Sequence, residues 1–352
     1  MMVQRDIDAA AESLYRARRL LVHVRGVERS TTLSRALLDI LRALRAAADH
    51  ALLLDVREDG GICAEPLTTL AVRLARFERI AETRYGYVVP PAGAAAAERA
   101  DILRRDADAI SGAFSGDAAS RGVQLVAAVR ELRSLESSVA FQRSLLRDRR
   151  RVAAESDYTM ANFAYGSTPF ASWLRVAQLP IVARAAQRAR ASGGTVVVLG
   201  SSTGLLVLYG ALYWDGVTAL GIELLPSLVA AARRAAAAAA AAGCASRGQQ
   251  LSFVCGDILE CDLRNACVIM VTSQCWDVAL IESLRRKLAK EARPGVVVVD
   301  YRPLLDGVPL FAAPAKVTVE VSWDSSGVDV YAYERVLAEE GSDAGEIRGG
   351  AT

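Results

Sequence analysis

Histidine is nearly absent from this chain of 352 residues: only His23 and His50 occur. Neither accompanies a serine or cysteine motif, which argues against nucleophilic catalysis through a histidine base. Of the six cysteines, Cys63, Cys244, Cys255, Cys261, Cys267 and Cys275, no two form a C-x-x-C pair, and both histidines lie far from the cysteine-rich third. That spacing argues against a zinc site and reads as buried thiols of a reducing compartment. No sign of charge dominates: 42 Lys and Arg face 40 Asp and Glu, and the pI is near 8.2. Charge alone therefore predicts no nucleic-acid binder. The first ten residues carry Arg5, Asp6 and Asp8, which does not fit a signal peptide. With 52% hydrophobic residues and a mean hydropathy of +0.22, a disordered or collagen-like chain is excluded. Much of that apolar share is alanine, including eight in a row at 235–242, which favours helix.

Uncharged runs are equally scarce. The one long stretch, 191–214, is 24 residues without a charge, long enough to span a bilayer. Gly200-Ser201-Ser202-Thr203-Gly204 splits it, so it reads as strand, turn and helix, and no membrane is expected.

The chain divides near residue 155. Before it, Leu33, Leu37, Leu41 and Leu44, then Leu67, Leu70, Leu74 and Phe77, keep a spacing of three to four, as amphipathic helices do. A third run, Val129, Leu132, Leu135 and Val139, continues to Leu146. Turn residues at 59–61, 89–93 and 115–116 interrupt these segments. Residues 1–154 are expected to form an α-helical accessory bundle of four to six helices. Arg143, Arg147, Arg149, Arg150 and Arg151 end it as a basic run. It reads as a solvated helix end, with contact to nucleic-acid phosphate as the alternative.

From 155 to 337 short β-branched runs alternate with helices. Val196–Leu199, Thr218–Glu223, Leu251–Cys255, Cys267–Thr272 and Gly295–Tyr301 read as buried strands, with helices near 204–213, 226–242 and 277–292. This alternation predicts a parallel sheet covered on both faces. Val317–Ser322 and Val328–Arg335 follow as an antiparallel hairpin. Five parallel strands and a C-terminal hairpin match the α/β class I S-adenosylmethionine methyltransferase fold. Residues 338–352 read as a disordered tail.

Three successive strand ends carry polar features. Gly200 and Gly204 bracket the first strand-to-helix turn, where glycine lets a backbone approach a ligand closely. Glu223 ends the second strand, 23 residues after Gly200, near the spacing at which an acid meets ribose hydroxyls. Asp257 follows the third strand, where it could accept from an adenine amine while Ile258 packs on the ring. A structural turn, an exposed Glu and a helix N-cap are the plainer readings of each. Their conjunction at one sheet edge favours an adenosine-containing ligand.

These residues resemble the disruptor-of-telomeric-silencing family, the non-SET histone lysine methyltransferases, and its divergent protist-type members in particular. The likeness covers about 158–336. Phe163 to Thr168 resembles the Tyr-Gly-Glu motif, Val198 to Gly204 the glycine motif, and Gly221-Ile222-Glu223 and Gly256-Asp257-Ile258-Leu259 the two following motifs. Val271 to Asp277 resembles the Asn-Ser-Thr-Cys-Phe-Asp segment, and Val321-Ser322-Trp323 with Tyr331 the Ser-Trp hairpin.

The resemblance implies S-adenosylmethionine held by Tyr165, Gly166, Thr168, Gly200, Ser201, Gly204, Glu223, Asp257, Ile258 and Thr272. It places Trp276, Trp323 and Tyr331 around a lysine channel, though core packing is an equal reading of the tryptophans. It further implies a protein substrate, a histone in a nucleosome, and a nuclear location, with a cytoplasmic one as the alternative. Four positions depart from the pattern: Ser167 stands for the motif Glu, Val198 for the motif Asp, Ser202 for the middle glycine and Thr272 for the motif Asn. The two missing acids keep two other readings open. One is a catalytically weak or inactive methyltransferase-like interaction module, and the other a methyltransferase for another substrate.

Overall fold

The structure is a computed structural model that describes residues 2–27, 31–53, 67–136, 138–163, 167–241, 251–321 and 324–337. The chain separates into two compact units, one of residues 1–119 with 126–156 and one of 120–125 with 157–352. The tail reading for 338–352, and Tyr165, Gly166, Trp323, Cys63 and Cys244, lie outside the described residues.

The first unit is helical. Its elements are α1 (Met2–Val27), α2 (Thr31–Leu53), α3 (Leu67–Tyr85), α4 (Ala94–Ala113), the greater part of α5 (Ala119–Glu136), and α6 (Val139–Glu155). The leucine stripes are core: Leu37, Leu44, Leu70 and Leu74 pack with Leu20 and Val24 of α1. Arg16 donates to Glu78 across α1 and α3, with Nε at 2.9 Å, so this buried carboxylate has its counter-charge.

Two expectations for this unit need correction. The third apolar run is two helices, because the Ser138 hydroxyl accepts from the Phe141 amide at 3.1 Å and caps a new helix. The basic run is also not one solvated face. Arg149 is 5% exposed, and its charge acts on the half-buried Asp49 carboxyl, which burial raises and Arg45, Arg149 and Arg150 lower. Arg147, Arg150 and Arg151 are exposed.

The second unit is a seven-stranded sheet in the order β3-β2-β1-β4-β5-β7-β6. The strands are β1 (Thr195–Leu199), β2 (Thr218–Glu223), β3 (Leu251–Cys255), β4 (Ala266–Val271), β5 (Val297–Asp300), β6 (Ala315–Val321) and β7 (Asp324–Glu334). The first five are parallel, and β7 runs antiparallel to both β5 and β6. Helices α7 (Phe170–Ala177), α8 (Pro180–Ser192), α9 (Leu205–Tyr213), α10 (Pro226–Ala241) and α11 (Val278–Glu291) accompany the sheet. This is the class I methyltransferase fold, recognised by an antiparallel seventh strand between the fifth and sixth.

The central strands are short, unbroken apolar runs because both their faces are covered. Every residue of β5 is buried, as are all but the first of β1. The uncharged stretch 191–214 becomes β1, a turn and the buried helix α9. Among the described residues, no helix is long and apolar enough to cross a membrane. The expected burial of the cysteines is not seen: Cys255 is exposed, and Cys261, Cys267 and Cys275 are half-buried. Cys255 sits on β3, an edge strand with one neighbour in the sheet.

Candidate cofactor crevice

The strand order fixes where a ligand would go. From β1 the chain winds outward to β2 and β3, then returns to the other side of β1 with β4 and β5. Strand ends diverge at that reversal, and the crevice beyond the carboxyl ends of β1 and β4 is where such sheets bind ligands.

On the β1 side lies the loop Gly200 to Gly204. Gly200 has φ 74° and Gly204 φ 88°, both in the left-handed region that glycine enters without strain. The close approaches differ in purpose. A methyl on Gly204 would meet Phe253 and Ala232 within 2.8 Å, so that glycine serves packing. A methyl on Gly200 would meet Thr272 Oγ1 at 2.5 Å and Trp276 Cζ2 at 3.0 Å, side chains from the far side of the crevice. Ser202 is the one non-glycine at positive φ, 53°, among the described residues. Replacing it by glycine is expected to stabilise the unit by about 1 kcal/mol, a rise of roughly 2–4 °C in Tm. An unchanged or lower melting temperature would show that the Ser202 conformation is unstrained.

Glu223 ends β2 and ties the loop down. Its Oε2 accepts from the Ser202 amide at 2.9 Å and its Oε1 from the Leu225 amide at 3.0 Å. Ser201 is buried, and its hydroxyl has no hydrogen-bond partner among the described residues. A buried orphan hydroxyl is unfavourable unless something completes it, and this one lies in the glycine loop.

Asp257 is not the N-cap that one sequence reading expects. No helix follows it; Oδ1 accepts from the Leu259 amide at 2.7 Å within a turn, and Oδ2 accepts from the Tyr158 hydroxyl at 2.6 Å. That bond and burial hold the Tyr158 phenol well above its ordinary pKa, burial being the larger cause. Ile258 is buried in the apolar cluster with Val197, Leu263 and Trp276. Thr168 is also committed: its hydroxyl is hydrogen-bonded to that of Tyr301, and both residues are buried.

On the β4 side, Thr272 Oγ1 donates to the carbonyls of Leu199, at 3.1 Å, and Gly200, at 2.9 Å. The turn Ser273–Cys275 follows, then Trp276 and the α11 N-cap Asp277, whose carboxylate accepts from the Leu280 amide. Asn162 spans that cap, donating to Asp277 Oδ2 at 2.8 Å and accepting from the Asp277 amide at 2.9 Å. Tyr158 and Asn162 thus bind the segments after β3 and β4 from one short stretch ahead of β1.

Trp276 is 9% exposed and faces Gly200. Tyr331 stands opposite Asp300 in the β5–β7 register and packs on the same apolar cluster as Trp276. One face of its ring carries the Lys316 ammonium, 5.4 Å from the centroid. Val198, at the position of the missing acid, is fully buried between Gly221 and Met270 in the sheet. Among the described residues, no cluster of His, Cys, Asp and Glu could hold a metal.

No family model matches the chain, and no curated protein matches it. Several solved structures do. An RNA methyltransferase from Salinibacter ruber, in complex with S-adenosyl-L-homocysteine, is 26% identical over 47% of this chain and 95% of its own, with a TM-score of 0.34. A putative RNA methyltransferase from Pyrococcus horikoshii is 16% identical over 51% and 91%, with a TM-score of 0.36. A ribosomal protein L11 methylase from Lactobacillus delbrueckii is 14% identical over 45% and 78%, with a TM-score of 0.30.

Proposed function

We propose that the second unit is an S-adenosylmethionine-dependent methyltransferase. The observation that carries this is the placement of three features on successive strand ends at the switch-point crevice: the glycine loop with its orphan Ser201 hydroxyl, Glu223, and Asp257. The crevice residues fit an adenosyl ligand in the following way. Gly200 and Gly204 shape the turn on the β1 side, Glu223 puts a carboxylate at the end of β2 where ribose hydroxyls would donate to it, and Asp257 puts another after β3 for an exocyclic amine. The sulfonium cofactor supplies the electrophilic methyl when bound. The chain's own residues orient the acceptor and exclude water, which accounts for most of the rate in an in-line displacement.

The finer part of the proposal is a protein lysine as acceptor, on a histone-like substrate in the nucleus. It rests on the resemblance of Val271–Asp277 and of the hairpin containing Tyr331. A lysine must be neutral to attack, and desolvation among Trp276, Tyr331 and their apolar neighbours would lower its pKa toward that state. Incubation with labelled S-adenosylmethionine and either nucleosomes or bulk RNA tests this. Label on histone lysine supports the proposal; label on RNA alone keeps the methyltransferase and replaces the acceptor.

A second reading has its own observation. Thr272 and Trp276 close directly over Gly200, and Val198 puts a fully buried valine where an acid would meet the cofactor's ammonium. Both favour a methyltransferase-like module that binds a partner without catalysis. Calorimetry with S-adenosylhomocysteine separates the readings, since such a module would give no binding heat.

If the site is a cofactor site, Glu223→Ala is expected to weaken S-adenosylmethionine binding about a hundredfold, and Asp257→Ala about tenfold. Glu223 would lose two charge-assisted bonds where Asp257 would lose one. Equal losses in titrations of both variants would remove the ribose role from Glu223.

A further inference from the structure

The end of β5 grips the turn that follows β4, and neither Asp300 nor Arg302 belongs to the proposed cofactor contacts. Asp300 is fully buried. Its carboxylate accepts from the Ser273 amide at 3.3 Å, from the Ser273 hydroxyl, and from the Tyr301 amide at 2.8 Å. Arg302 Nη1 holds the same turn from the other side, donating to the carbonyls of Ser273 at 3.3 Å and Trp276 at 3.0 Å. The turn is thus fixed through donors at its start and acceptors at both its ends. What it carries out to the crevice is the Trp276 indole, set 3.0 Å from where a methyl on Gly200 would be.

We propose that Asp300 and Arg302 are positioning residues that set the Trp276 indole as the wall of the switch-point crevice, and so set the width left for a ligand over Gly200. This deepens the cofactor reading and rests on it for the ligand. The carboxylate is costly to keep charged in a fully buried place, and a fold without use for it could fill the space with an apolar residue. In the sheet Val271 of β4 and Tyr331 of β7 flank Asp300, and Arg302 is the charge acting on it. Burial raises the Asp300 carboxyl to about 7, so its charge changes within an accessible pH range.

The test has one arm without ligand. The Trp276 emission of the full chain, taken as the difference between wild type and Trp276→Phe, is followed from pH 5 to pH 9. A change with its midpoint near pH 7, abolished in Asp300→Asn, is expected. The same flat signal in both proteins would overturn the role of Asp300. Should Asp300→Asn fail to fold, the more exposed Arg302 decides: Arg302→Gln should alter Trp276 emission, and Arg302→Lys should partly restore it. The second arm is calorimetry with S-adenosylhomocysteine, where Arg302→Gln should bind about tenfold more weakly than wild type. Wild-type and variant affinities that coincide would overturn the positioning role. No binding by wild type, together with the expected emission changes, would instead remove the cofactor reading and leave the positioning of Trp276 standing.

Discussion

Val198→Asp is expected to destabilise the ligand-free protein by about 3–5 kcal/mol, the cost of an unpaired carboxyl placed in a well-packed interior. Val198 has no solvent exposure and sits between β2 and β4, opposite Gly221 and Met270. No described neighbour in that register offers a donor from its side chain. If the crevice binds S-adenosylmethionine, the same aspartate would lie near the end of β1, two residues before Gly200, on the strand that leads into the crevice. The double variant Val198→Asp with Ser167→Glu should then bind the cofactor more tightly than wild type. The gain should be larger than for a desamino analogue, which lacks the charge. Linkage would return part of the lost stability at saturating cofactor. Thermal shifts carry the test. Destabilisation with no rescue, in a protein whose wild type also fails to bind, would replace the enzyme with the interaction module.

The parts of this structure that could be read from sequence are those where one local pattern had one cause. Val196–Leu199 and Val297–Val299 read as strands because burial on both faces demands unbroken β-branched runs. Gly200 and Gly204 read as a ligand turn because few other residues adopt their φ. The helix break at Ser138 was missed because the apolar spacing runs straight through it, although a serine pair before a valine was a usable N-cap signal. The rest of the crevice had no local signal. Tyr158 reaches Asp257 across 99 positions and Asn162 reaches Asp277 across 115. Ser273 and Asp300 are 27 apart. Such pairs are set by strand order, and only the folded sheet brings them together. The same distance effect explains Ile258, whose apolar character fits equally a nucleoside platform and the core cluster it joins.

The pH dependence of stability should carry the signature of Asp300. Its folded-state carboxyl titrates near 7, raised chiefly by burial against the lowering effect of Ser273, Tyr301 and Arg302, while an unfolded aspartate titrates near about 3.9. Between those two values the folded state holds a proton that the unfolded state has lost. More protons on the folded side mean that stability falls as pH rises. The loss begins near pH 4, proceeds at up to about 1.4 kcal/mol per pH unit, and is complete above pH 7, for a total of about 4 kcal/mol. Asp277 and Asp329 are shifted the other way, downward, by the hydrogen bond from the Leu280 amide and by Lys316 respectively. Their stabilisation is fully present above about pH 4 and is lost only below it, so they leave the window clear. Asp49 is also raised by burial and adds in the same direction, which makes the comparison with a variant necessary. Denaturant titrations of wild type and Asp300→Asn at pH 4.5, 6 and 8 isolate the contribution. The two curves of stability against pH should converge toward the acid end, where the wild-type carboxyl is neutral like the amide, and separate as pH rises. Parallel curves across that range would mean that the Asp300 carboxylate stays charged at acid pH, stabilised by the Ser273 and Tyr301 donors and by Arg302 more strongly than burial opposes it.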